Sequence, residues 1–140
     1  MSALDDIPVR SDGPQTFTGN VAPLLNELRH ALQRLADSGE TTTIDLRALP
    51  LAPGEESVLE QRLGRGEVSA RLDALGPSEV YETRFPGVWL VTHRNEDDEV
   101  MGRFLEVTTM PALLCTPLDD LQNSIFELKR LTAADRIPDH

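Results

Sequence analysis

Residues 63–111, LGRGEVSARLDALGPSEVYETRFPGVWLVTHRNEDDEVMGRFLEVTTMP, constrain the fold more than any other part of the chain. Val68, Ala70 and Leu72 alternate with Glu67, Ser69, Arg71 and Asp73, the period of a half-buried strand. Gly76-Pro77 and Pro86-Gly87 are turn signals, and residues 95–99 form an acidic hairpin tip. Between these breaks, residues 79–85 and 88–93 read as strands, and residues 100–109 return. The 88–93 strand is apolar on both faces, which makes it central. Four strands joined by short turns predict an antiparallel meander, which needs helices to cover its apolar face.

The flanking sequence supplies them. In NVAPLLNELRHALQRLADSG, Leu24, Leu25, Leu28, Leu32 and Leu35 fall at helical spacing, with Asn20 as a cap and Gly39 as a stop. Thr42, Thr43 and Ile44 make a short earlier strand. A second helix runs over 54–63, with Glu55 and Glu56 in a first turn that favours negative charge. A third, over 117–134, carries Leu118, Leu121, Ile125, Leu128 and Leu131 on one face, with Thr116 as its cap. The expected fold is therefore α+β: a mainly antiparallel sheet, made of the four-strand meander plus one earlier strand, with about three helices packed on one face. Residues 1–18 read as a flexible arm and residues 19–140 as a single domain.

Charge narrows the partners. The chain has 140 residues, 24 acidic against 13 basic, for a net charge of −11. Nucleic-acid affinity comes largely from Lys and Arg displacing counterions, so a phosphate backbone is not an expected partner. A basic peptide is better matched. No apolar run approaches the roughly 20 residues that span a bilayer, and the opening residues lack a basic segment followed by an apolar one, so a cytoplasmic location is expected.

No residues combine into a catalytic, cofactor or metal site, and none of these is expected. His30, His93 and His140 are scattered, and His93 reads as a strand-end residue. Cys115 precedes the third helix, where a thiol can be activated, although a buried, inert cysteine is the simpler expectation. The glycines of LGRGE do not complete a phosphate loop. Glu96, Asp97, Asp98 and Glu99 lack the spaced ligands of a calcium loop. Trp89, near Phe85, Phe104 and Tyr81, is either core or an exposed anchor for a partner. The candidate partner-binding residues are Trp89, Phe85 and the acidic tip Glu96, Asp97, Asp98 and Glu99.

Four short blocks carry a resemblance. They are Leu63, Gly64, Gly66 and Val68; Glu82, Thr83, Gly87, Val88 and Trp89; residues 106–111, EVTTMP; and Pro117, Asp120 and Leu121 before the last helix. In order and spacing the chain resembles the HupH/HyaF/HoxQ family of hydrogenase expression proteins over about residues 24–131. The resemblance implies a non-enzymatic accessory role in maturing nickel-iron hydrogenases. It further implies chaperoning of the small-subunit precursor before twin-arginine export, alongside other maturation proteins. Members resemble two tandem copies of this unit, which leads to the expectation of a homodimer here. The alternatives are a redox-active or enzymatic domain using Cys115, or a metal-handling maturation factor.

Overall fold

The structure, a computed structural model, describes residues 19–74 and 76–134. The expected arm at residues 1–18 and the terminal His140 lie outside these. Helix α1 (Val21–Ser38) is followed by strand β1 (Thr42–Asp45), a 3-10 turn (Leu46–Ala48) and helix α2 (Glu55–Leu63). Strands β2 (Ser69–Ala74), β3 (Gly76–Glu82), β4 (Val88–Arg94) and β5 (Val100–Val107) form the meander, and helix α3 (Leu118–Ala134) follows a second 3-10 turn (Ala112–Leu114). All pairings are antiparallel, in the order β1-β5-β4-β3-β2. The chain divides into two compact units, Met1–Thr109 and Met110–His140.

The first unit holds the sheet. Strand β4 is central, paired along both edges, and its residues from Val88 to Thr92 are all buried. The main core joins Val21, Leu24, Leu28 and Ala31 of α1 to Leu59 and Leu63 of α2 and to Val88, Leu90, Leu105 and Val107 of the sheet. Burying each of these valine and leucine side chains is worth about 1.5–3 kcal/mol. The opposite face is buried at Val80, Trp89 and Val91. Of the two roles open to Trp89, it takes the core one: it is 3% exposed, and its indole N–H donates to the Thr108 carbonyl at 3.0 Å.

Polar side chains fix how the helices dock. Arg103 of β5 pairs with Glu60 at 2.6 Å and Glu56 at 3.0 Å, tying α2 to the sheet. Burial alone would lower the Arg103 pKa, but Glu60 and Glu56 outweigh it and raise it.

Glu55 does more than favour a helix start. Its carboxylate has no exposed surface and accepts the backbone N–H groups of Asn20 at 3.0 Å and Ala52 at 2.6 Å, so it joins the starts of α1 and α2. These N–H donors, Asn20 first, hold its pKa below the ordinary 4.5. Asn20 occupies the N-cap position but makes no side-chain cap; its amide instead donates to the Pro50 carbonyl at 2.9 Å and to Glu55.

Strand β3 starts at Gly76, earlier than expected, because Gly76 and Pro77 already pair with Ala74 and Asp73 of β2. In the second unit, Cys115 is exposed rather than buried, with its thiol 3.6 Å from the Pro111 carbonyl. Helix α3 presents Leu118, Leu121, Ile125, Leu128 and Leu131 as exposed side chains.

A candidate partner-binding groove

The turn between β3 and β4 is held by its own polar groups. The buried Thr83 donates its hydroxyl to the Val88 carbonyl at 2.9 Å, and the Thr83 N–H donates to the same oxygen at 2.9 Å. The Thr83 hydroxyl also accepts the Phe85 N–H at 3.2 Å, and the Glu82 carboxylate accepts that of Gly87 at 3.2 Å. Gly87 has φ +98°, a conformation a side chain strains to adopt, and a Cβ there would lie 3.0 Å from Leu32 of α1. Gly66 allows the segment after α2 to run alongside, where a Cβ would stand 2.6 Å from the Thr83 carbonyl. The Thr108 N–H donates to the Gly87 carbonyl at 2.9 Å.

The turn is therefore pinned from several directions, and it presents Arg84 and Phe85 outward. Phe85 is 39% exposed, and the Arg84 guanidinium lies 4.8 Å from its ring centre. Against this turn lies a groove of about 400 Å³, with Leu25, Leu28 and Leu32 of α1, Leu63 of α2, Val88 and Phe85 as its apolar lining. Arg29, Arg62 and Arg84 complete it, one each from α1, α2 and the turn. All three are exposed, and none has a carboxylate partner among the described residues. The groove offers apolar contact and positive charge. Its lining contains no carboxylate, imidazole or thiol.

The acidic tip lies at the other end of β4. There the Asn95 side chain accepts the N–H groups of Asp97 and Glu99, both at 2.9 Å, and donates to the Glu99 carboxylate at 2.9 Å. Asp98 takes φ +68°, which its short polar side chain tolerates. Glu96, Asp97, Asp98 and Glu99 are all exposed. Because β4 separates tip and groove, the structure does not join them into one site: Phe85 lines the groove, Trp89 is internal, and the four acids stand apart.

The remaining candidates are tied into the framework. The His93 ring nitrogen is 2.8 Å from the Ser78 hydroxyl, and its ring meets Phe104 edge-on at 5.8 Å. His30 is exposed beside Arg29. Among the described residues, no three His, Cys, Asp or Glu side chains group as metal ligands, and no helix is long and apolar enough to cross a membrane.

The described residues thus form a small α+β fold whose groove is apolar and edged by arginines. The chain belongs to the family described as HupH hydrogenase expression protein, C-terminal conserved region, which it matches over residues 18–134. It is 32% identical over 117 residues to the hydrogenase expression/formation protein HoxQ of Azotobacter vinelandii, covering 82% of this chain and 41% of that one. It is likewise 32% identical over 137 residues to the hydrogenase-1 operon protein HyaF of Escherichia coli strain K12, covering 85% of this chain and 47% of that one. The chain thus spans less than half the length of these relatives.

A solved structure of the hydrogenase expression protein HupH from Thiobacillus denitrificans is similar with a TM-score of 0.80 and 43% identity. The match covers 84% of this chain and 98% of that one.

Proposed function

We propose that this chain is a non-enzymatic accessory protein of nickel-iron hydrogenase maturation, which chaperones the small-subunit precursor in the cytoplasm before export. The observation that carries this reading is where the family-like blocks fall. Leu63 lines the groove, Gly66 abuts the Thr83 carbonyl, and Glu82, Thr83 and Gly87 build the turn that presents Arg84 and Phe85. Residues that mark the chain as a relative of hydrogenase expression proteins thus frame a surface suited to holding protein rather than to chemistry. The acidic tip complements this, because a net charge of −11 attracts a basic leader and speeds encounter more than it tightens the complex.

In this reading the chain also pairs with a second copy. The edge strand β2 is a poor meeting surface: its exposed Arg71 and Asp73 bond each other at 2.8 Å, and charge protects an edge. The exposed Leu118, Leu121, Ile125 and Leu128 of α3 suit it better, since their three-and-four spacing is that of a two-helix seam.

The test is tagged chain recovered from cells that do and do not make the hydrogenase. Small-subunit precursor should co-purify, still bearing its leader. Recovery of only the large subunit, or of assembled enzyme alone, would sink the chaperone reading. Sedimentation at micromolar concentration giving a mass near 15.5 kDa would remove the pairing.

The exposure of Cys115 favours a second, redox reading. Alkylation much faster than that of an ordinary thiol at neutral pH would support it.

A further inference from the structure

Three elements that are distant in sequence each bring one guanidinium to the same apolar groove. Among the described residues, Arg34, Arg71, Arg94, Arg103 and Arg130 have carboxylate partners. Arg47 and Arg65 have none but stand apart, on the Val100 carbonyl and the Tyr81 ring, whereas Arg29, Arg62 and Arg84 come together at the groove without one. In a chain of net charge −11, unpaired arginines gathered around an apolar surface run against the overall balance. A guanidinium fork is well suited to carboxylates. The leucines at 25, 28 and 32 line the groove along about two helical turns, roughly 10 Å, which matches two turns of an incoming helix. An apolar groove of this kind takes the side chains of one helix face at i, i+3 or i+4, and i+7.

We propose that the groove receives an amphipathic helix of a protein partner, its apolar face seated on the leucines and its flanking Asp or Glu residues on Arg29, Arg62 and Arg84. The inference deepens the proposed function and rests on the reading of this surface as a protein-binding one. It also separates the two charged regions: a basic leader is repelled by the groove and drawn to the tip, while the groove takes an acidic helix.

The test uses the full chain and two fluorescently labelled helical peptides, each with leucines at i, i+3, i+4 and i+7. One peptide carries glutamates beside them and the other lysines. Anisotropy titrations should show the glutamate peptide binding at least about tenfold tighter, with the preference shrinking as salt rises. The triple variant Arg29→Glu, Arg62→Glu, Arg84→Glu should reverse the preference. Its melting temperature checks that it folds, as substitution of exposed arginines allows.

Failure of both peptides to bind, equal binding of the two, or a preference unchanged in the triple variant would overturn the proposal. So would displacement of the bound peptide by decanoate, which would make the groove a fatty-acid site. Loss of self-association in the triple variant would give the groove to a second copy instead. If the peptide titrations fail in one of these ways while the wild-type chain still recovers the precursor, the groove inference falls and the chaperone reading stands. If the wild-type chain binds the glutamate peptide yet recovers no precursor, the reverse holds.

Discussion

The two ends of strand β4 carry opposite charge and are built in opposite ways. At the tip, one side chain, Asn95, organises residues within four positions of itself, and four acids project into solvent. At the groove, the turn is held by Thr83, Glu82 and the Thr108 N–H, crowded by Gly66, and packed on Leu32 from the first helix. A locally built loop can change its charges with little consequence for the fold. A surface built from distant segments can change its exposed arginines, but not the buried and tightly packed residues that assemble it, without touching the core. Stability should therefore concentrate at the groove end, and adjustable electrostatics at the tip.

The largest expected effect tests this directly. Trp89→Ala removes a side chain that is 3% exposed and whose indole N–H is bonded to Thr108. It should cost about 3–5 kcal/mol, read as a fall in the denaturation midpoint. A variant as stable as the parent would mean that the groove end tolerates truncation as the tip does, and the contrast would collapse. Gly87→Ala should cost less, about 1–2 kcal/mol, from the left-handed backbone together with the approach to Leu32. Repeating Gly87→Ala in a Leu32→Ala background removes the contact with Leu32 and leaves the backbone part, so it sharpens which of the two matters.

The same contrast explains what could be read from the sequence. Alternation and turn residues are local, so the meander, its central strand and the acidic tip were all legible, and residues 21–38 form the first helix much as leucine spacing predicts. Phe85 was legible as an aromatic of interest. Its companions Arg29, Arg62 and Arg84 were not, because only the folded chain brings a helix, a second helix's end and a turn together. Glu55 looked like an ordinary first-turn acid, since nothing local reveals that it accepts the Asn20 N–H. Cys115 was expected to be buried on the strength of its residue type, and its exposure follows from a position that sequence periodicity does not address. Short blocks such as Glu82, Thr83 and Gly87 identified the family before their physical task, closing a turn, could be seen.

Glu55 gives a pH test located in the framework rather than at either end of β4. Its folded pKa is depressed by the N–H groups of Asn20 and Ala52. Its contribution is therefore present above the unfolded value and is lost as pH falls through the folded one, in the window below about 4.5. Glu55→Gln should lower stability at neutral pH and weaken the dependence on pH across that acid window. Parallel pH profiles for the two proteins would show that another carboxylate governs acid unfolding.

The smallest effect on the fold is expected at the tip. Changing Glu96, Asp97, Asp98 and Glu99 to their amides should alter stability by no more than about 0.5 kcal/mol, since the side chains are exposed and Asn95 still organises the loop. The effect on association should be kinetic. A basic partner is drawn in by charges acting over about 8 Å at physiological ionic strength, so the on-rate should fall while the off-rate changes little. Raising the salt should slow the parent more than the amide variant, which keeps the rest of the chain's acidic excess. If the amides instead speed dissociation of a basic partner at constant on-rate, the tip is part of the contact surface. The two ends of β4 would then share one task rather than divide it.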